Sequence, residues 1–276
     1  MRNRIRTNTQ RFKDNQYKET FGGIFTDIHC HCLPDIDDGP ANLRESIALC
    51  EALFADGIRA VVATPHFLGS FDGLMDSDTV RKAAERLNHI LSKDGSELVV
   101  LPGAEVRVDE RICQLLDDDK ILTIGDNGRY ILLELPREVF IDIESLLIEL
   151  GSRGIIAVIG HPERNVPLMR QFGKLLDWVQ YGAVLQITAA SLMGDFGPDA
   201  EKASWHLLNN GLVGIIATDA HDAKRIRPKM SDAFSFITKH FGKDMAKLLC
   251  IENPSKIVAG QDVKSVFEIH NEVVNK

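Results

Sequence analysis

Phe25-Thr26-Asp27-Ile28-His29-Cys30-His31-Cys32-Leu33-Pro34-Asp35-Ile36-Asp37-Asp38-Gly39 is the stretch that decides the fold. A short apolar run, residues 24–28, passes straight into His-x-His and then into a turn carrying carboxylates. Read as a strand, the run alternates its side chains between two faces, so His29 and His31 point the same way. Two imidazoles on one face, with Asp37 and Asp38 folding back over them, make a donor set for a divalent cation. Taken alone, the same residues are equally a solvated strand end. Similar clusters recur further along the chain, and the recurrence favours a metal.

The 276 residues are enough to bury a sizeable core, in one domain or two. A formal net charge of −8 argues against a general nucleic-acid surface. No apolar run approaches the roughly 18 residues that a membrane span needs, and no signal-peptide core follows the start. The five cysteines, Cys30, Cys32, Cys50, Cys113 and Cys250, form no Cys-x-x-Cys pair, which fits reduced thiols and a cytoplasmic location. Residues 1–22 read as a basic, flexible tail, with Arg2, Arg4, Arg6, Arg11, Lys13 and Lys18 against Asp14 and Glu19. Residues 23–276 read as the folded domain.

Strand candidates lie at 24–28, 59–63, 98–101, 130–133, 155–159, 183–187 and 213–217. Nearly continuous hydrophobicity marks them as strands buried on both faces. Amphipathic helices are expected between them, over 40–55, 77–91, 141–150, 168–180 and 199–208, most of them stopping at or just before a glycine. Further helices are expected over 231–241, 243–251 and 255–259. Seven strand–helix alternations without a linker predict an α/β fold, a (β/α) barrel with parallel strands. No Gly-x-Gly-x-x-Gly or Walker pattern follows the first strand, which disfavours an open nucleotide-binding sheet.

Polar residues gather where the strands end. The first strand ends in His29-Cys30-His31, the second in Thr64-Pro65-His66, and the third leads to Glu105. The fourth gives Glu134, the fifth Gly160-His161-Pro162-Glu163-Arg164, and the seventh Thr218-Asp219-Ala220-His221. The sixth, ending in Thr188-Ala189-Ala190-Ser191, offers hydroxyls only. A parallel barrel opens all these ends onto one face, where such folds keep their chemistry. His29, His31, Asp38, His66, Glu105, Glu134, His161, Asp219 and His221 are then candidate ligands, enough for two or three ions at roughly four to six donors each. Imidazole with carboxylate suits Mn, Fe or Zn, and donor type alone does not choose among them. Cys30 and Cys32 alternate with the histidines and face away from the donors. Arg164, three residues past His161, and Arg227, six past His221, suit a phosphate bound beside a metal cluster, with Arg225 competing for the second role.

With these motifs the chain resembles the PHP (polymerase and histidinol phosphatase) superfamily, and within it the bacterial manganese-dependent tyrosine-protein phosphatases of the capsule and exopolysaccharide type. The resemblance rests on Asp27-Ile28-His29-Cys30-His31, Leu33-Pro34-Asp35-Ile36-Asp37-Asp38-Gly39, Ala63-Thr64-Pro65-His66, Gly103-Ala104-Glu105-Val106-Arg107, Leu133-Glu134-Leu135-Pro136, Gly160-His161-Pro162-Glu163-Arg164 and Thr218-Asp219-Ala220-His221, in family order over roughly residues 24–260. It implies a distorted (β/α)7 barrel with two or three Mn2+ ions. His29, His31, Glu105 and Asp219 would hold one ion, Glu105 would bridge to a second held by Glu134 and His161, and Asp38, His66 and His221 would hold the third. The implied substrate is phosphotyrosine in the tail of a bacterial tyrosine kinase that controls capsule synthesis.

A cysteine-based tyrosine phosphatase needs His-Cys and then arginine after five intervening residues. Here that offset holds Ile36 after Cys30 and Asp38 after Cys32, so metal-assisted hydrolysis is the expectation. The competing readings are a phosphatase of a small phosphomonoester such as histidinol phosphate, and a non-catalytic metal-binding scaffold.

Overall fold

Strands covered on both faces must be apolar almost throughout, and Phe25–Cys30 is buried at every position. The computed structural model describes residues 25–263; the basic tail expected over residues 1–22 lies outside them. The described strands are β1 (Phe25–Cys30), β2 (Ile58–Ala63), β3 (His66–Phe67), β4 (Val99–Pro102), β5 (Glu105–Arg107), β6 (Tyr130–Glu134), β7 (Ile156–Gly160), β8 (Val184–Thr188) and β9 (Val213–Ala217). All pair in parallel, in the orders β1-β2-β4 and β3-β5-β6-β7-β8-β9. A parallel bridge from Cys30 to Ala220 joins the end of β1 to the residues after β9.

Nine strands stand where seven runs are read from the sequence, because two barrel strands break. Thr64-Pro65 separates β2 from β3, where proline supplies no N–H to the ladder, and Gly103-Ala104 separates β4 from β5. The short outer pieces re-pair, His66 with Glu105 and Arg107 with Glu134. The result is a distorted (β/α) barrel whose breaks lie at two candidate ligands.

Side-chain alternation sorts the core into two parts. Ile28, Val62, Leu101, Leu132, Val158 and Ile215 belong to an inner cluster inside the barrel. Their neighbours Val61, Ile131, Leu133, Ala157 and Ile216 pack outward against the helices. Each fully buried valine, leucine or isoleucine contributes about 1.5–3 kcal/mol. Ile257 and Val258 of helix Asn253–Val258 join the inner cluster from the chain's C-terminal side. Asn127 donates to both of their carbonyls, and Asn253 donates to the Gly214 carbonyl, so this helix plugs the end of the barrel where the strands begin.

Helix starts follow their caps rather than their apolar stripes. Helix Leu43–Ala55 begins at Asn42, whose side chain accepts from the Glu45 N–H, and helix Ser77–Lys93 begins at Asp76. The helix expected over 168–180 is two, Val166–Met169 and Phe172–Gln180, because Gln171 leaves helical geometry between them (φ −108°, ψ 42°). The one expected over 243–251 is α-helical over Lys243–Lys247 and then widens into a π-helical turn, Leu248–Glu252.

Candidate metal centre

The inner face of each strand, followed past its last core residue, delivers the site. On β6 the inner series Tyr130, Leu132 ends in Glu134, and on β9 the series Ile215, Ala217 leads to Asp219. β1 needs one irregularity. Strict alternation from Ile28 would turn His29 outward, but the pairing with β2 shifts register between Asp27 and Cys30. His29 thus shares the interior with Ile28, while Cys30 and Cys32 go to the outer core beside Cys50. Burial pushes the Cys30 thiol up to about 11, in keeping with a side chain packed into the outer core away from the donors. Gly39 lets the carboxylate turn close on His31, since a Cβ there would lie 2.4 Å from the His31 carbonyl oxygen.

Eight of the nine candidate ligands fall into three overlapping groups: His29, His31, Glu105 and Asp219; His31, Asp38, His66 and His221; and His66, Glu105 and Glu134. The ninth, His161, reaches the first and third through a 2.8 Å contact between its Nε2 and Glu105 Oε1. Nε2 of His29 lies 3.3 Å from Glu105 Oε2 and 3.1 Å from Asp219 Oδ1; Nε2 of His31 lies 3.3 Å from each. Both nitrogens and Glu105 Oε2 are buried without hydrogen-bond partners among the described residues. Three buried donor atoms drawn together yet unbonded are what a shared cation satisfies, so the residues present fit metal ions.

The ring nitrogens on the far side set the tautomers. Nδ1 of His29 bonds Gln186 Oε1 at 2.8 Å, Nδ1 of His31 bonds Asp37 Oδ2 at 2.6 Å, and Nδ1 of His221 bonds the Asp219 carbonyl at 2.8 Å. Donation from Nδ1 to these oxygens leaves each Nε2 lone pair turned inward, the form a metal takes. Asp37 also accepts from the His66 N–H at 3.1 Å, so it braces the histidines from behind while Asp38 faces them. Gln186 was legible in principle. It lies two residues before Thr188 on the inner face of β8, the strand whose end carries hydroxyls and no ligand.

Without bound cations, protons balance the charge. Burial alone would lower the His29 pKa, but Glu105 and Asp219 outweigh it and push it up to about 10. His66 rises to about 9, where burial is outweighed by Asp38 and Glu105. Hydrogen bonds from His221 and His66 hold Asp38 far below the usual carboxylate range. Burial would raise Asp219, yet His29 and Arg164 keep it well below that range. The cluster therefore holds positive charge avidly in either form. Two of its members sit in left-handed backbone, His161 at φ 34° and Asp219 at φ 52°, a conformation that for a non-glycine residue persists only where the surroundings enforce it.

The arginines fall in unequal places. Arg164 is almost buried: Nη1 meets Asp219 Oδ2 at 2.6 Å, Nη2 donates to Thr188 Oγ1 at 2.8 Å, and the guanidinium stacks 3.7 Å over Phe196. Arg227 is half exposed, 3.7 Å from Asp232. Beside the donors opens a cavity of about 440 Å³, with Asp38, His66, Glu134, Leu68, Phe71 and Pro136 among its walls. Phe71 stacks on His66, ring centres 5.0 Å apart.

Capsular polysaccharide synthesis proteins of the CpsB/CapC type match residues 25–259, most of the chain and every candidate ligand. The chain belongs to the CpsB/CapC family. Among CpsB/CapC relatives, the tyrosine-protein phosphatase YwqE of Bacillus subtilis (strain 168) is 36% identical over 240 residues, spanning 86% of this chain and 92% of YwqE. The tyrosine-protein phosphatase CpsB of Streptococcus pneumoniae is 28% identical over 242 residues, spanning 85% of this chain and 98% of that protein. A solved structure from work on YwqE and S. pneumoniae CpsB, described as unique metal-dependent tyrosine phosphatases, superposes with a TM-score of 0.82 at 35% identity, covering 87% of this chain and 96% of its own. An organophosphorus hydrolase from Deinococcus radiodurans, at 14% identity and TM-score 0.52, shares the fold.

Proposed function

We propose that this CpsB/CapC chain is a metal-dependent tyrosine-protein phosphatase that hydrolyses phosphotyrosine in the tail of a bacterial tyrosine kinase controlling capsule synthesis. Mn2+ is the cation we assign to His29, His31, Asp38, His66, Glu105, Glu134, His161, Asp219 and His221. One observation carries the reading: three overlapping donor groups meet at a cavity that Phe67, Leu68, Phe71 and Pro136 also line. Cations bound there would polarise phosphoryl oxygens and ionise water near neutral pH.

The chain's own residues do the rest. Gln186, Asp37 and the Asp219 carbonyl hold three imidazoles in the ligating tautomer. Leu68, Phe71 and Pro136 offer a flat apolar side to a phenyl ring. Arg164 steadies Asp219 from its outer oxygen. Arg227, loosely paired on the loop after His221, is free to meet an anionic substrate from outside. A phenolate leaving group, with a pKa of about 10, departs with little help from a proton donor.

Five free, buried cysteines support a reducing, cytoplasmic setting, where a kinase tail would be found. Among the described residues no helix is long and apolar enough to cross a membrane.

The test is phosphate release from a tyrosine-phosphorylated kinase-tail peptide and from histidinol phosphate, after chelation and after adding back Mn2+, Zn2+ or Fe2+. The proposal expects peptide turnover that vanishes with chelator and returns best with Mn2+. Turnover of histidinol phosphate alone would move the enzyme to small phosphomonoesters. Activity on neither, with metals bound, would leave a metal-binding scaffold.

A further inference from the structure

The donor cluster does not account for Arg107. It lies on β5 two residues beyond Glu105, so alternation puts both on the same face, while Val106 between them packs into the outer core. Pairing sets Arg107 beside Glu134 on β6, and its Nε lies 3.3 Å from Glu134 Oε2. Its Nη1 is buried and has no hydrogen-bond partner among the described residues. The side chain lines the cavity next to His66 and Glu134.

A second element fixes the same side chain. Gly69 (φ +57°) lies so close that a Cβ on it would sit 3.2 Å from Arg107 Cγ and 3.4 Å from Nε. That glycine opens the 3-10 turn Gly69–Phe71, whose Phe71 covers His66. One short turn therefore presses on the arginine with its first residue and walls the cavity with its last. Arg164 cannot offer a comparable free edge. Its Nε, Nη1 and Nη2 face Ser191, Asp219 and Thr188, and Phe196 covers its plane.

We propose that Arg107 binds the phosphoryl group of the substrate, held for that role by Glu134 on one side and the Gly69 backbone on the other. The inference rests on the phosphatase reading and names the side chain that grips the reacting phosphate. Glu134 takes the Nε edge, and the buried Nη1 of a side chain that lines the cavity is left as a charge-assisted donor for a dianionic phosphomonoester. The apolar wall of Leu68 and Phe71 takes the aryl group beyond it. The sequence signal was the i, i+2 spacing of Glu105 and Arg107 in Gly103-Ala104-Glu105-Val106-Arg107.

The experiment compares wild type with Arg107→Met, Arg107→Lys and Gly69→Ala, all at saturating Mn2+. It measures bound metal, hydrolysis of phosphotyrosine, and the affinity for inorganic phosphate by calorimetry. The expected result for Arg107→Met is wild-type metal content, phosphate affinity lower by tenfold or more, and a loss in kcat/KM on the order of 100-fold. Lysine restores part of the phosphate affinity, since it supplies the charge without the planar fork. Gly69→Ala weakens phosphate binding with metals intact and keeps the question answerable if Arg107→Met does not fold. Phosphate binding unchanged in Arg107→Met and Arg107→Lys would overturn the inference. So would a loss of metal that accounts for the whole defect, because Arg107 would then act only through Glu134. A wild-type protein that binds phosphate through Arg107 yet hydrolyses no phosphomonoester would fail the phosphatase reading and leave Arg107 as a phosphate-binding residue alone.

Discussion

Nη1 of Arg164 lies 2.6 Å from Oδ2 of Asp219, while Oδ1 of the same carboxylate faces His29 and His31 at 3.1 and 3.3 Å. One carboxylate thus joins a buried guanidinium to the donor cluster. The arginine sets where Asp219 can point, and its own place is set by Thr188, Ser191 and Phe196.

Arg164→Ala should therefore lower both rate and metal affinity. Turnover is expected to fall on the order of 100-fold or more. Affinity should drop about tenfold or more, as when a residue supporting a ligand is lost. Lysine should restore little, because it cannot reach Thr188 and Asp219 together as a fork does. Kinetics alongside a chelator-competition titration measure both quantities. Wild-type values for each would remove Arg164 from the centre.

His66→Ala and Asp219→Ala should each abolish turnover and leave a folded barrel. His66 belongs to two of the donor groups and Asp219 to one, while the inner and outer cores do not depend on either side chain. Circular dichroism and elemental analysis would show native structure with reduced metal. Full activity in both variants would sink the assignment of the cluster.

Behind the donors, Gln186→Leu and Asp37→Asn should weaken metal binding about 10- to 100-fold without removing a ligand. Each disturbs the Nδ1 partner that holds His29 or His31 in the ligating tautomer. Competition with a metal indicator dye reads the effect. Unchanged affinity in both would mean that packing alone orients the rings.

Stability should fall with rising pH in the metal-free protein and lose that dependence once metal is bound. In the metal-free protein His29 and His66 are raised from 6.5 to about 10 and about 9. Between 6.5 and those values the folded state binds more protons than the unfolded chain, so stability falls as pH rises across that window. Metal displaces those protons, so affinity for Mn2+ should rise with pH over the same range. Melting temperatures in EDTA and in Mn2+, taken from pH 6.5 to about 9, check both slopes. A metal-free Tm that climbs across the window would contradict the charge balance drawn for the cluster.

Much of this site was legible because its residues are announced locally. His29, His31, His66, Glu105, Glu134, His161, Asp219 and His221 each follow an apolar run within a few positions, and parallel strands carry such positions to one end. The breaks at Thr64-Pro65 and Gly103-Ala104 were less visible, since proline and glycine mark turns without saying that a two-residue strand resumes after them. The register shift in β1 was invisible, because strict alternation and a bulge predict the same facing for His29 and His31 and differ only at Ile28.

By itself, the sequence determined the donor types, their order along the chain and the parallel alternation, all of which depend on residue chemistry and short-range period. Only the tertiary structure decided which atoms meet. Gln186 is 157 positions from His29, Arg164 is 55 from Asp219, and Gly69 is 38 from Arg107. Contacts at such separations are set by how the helices and the broken strands pack, and no local pattern encodes the outcome. That is why Arg164 could be read as a phosphate ligand from its place after His161, while the barrel turned it onto Asp219 and left Arg107 lining the cavity, its buried Nη1 without a hydrogen-bond partner among the described residues.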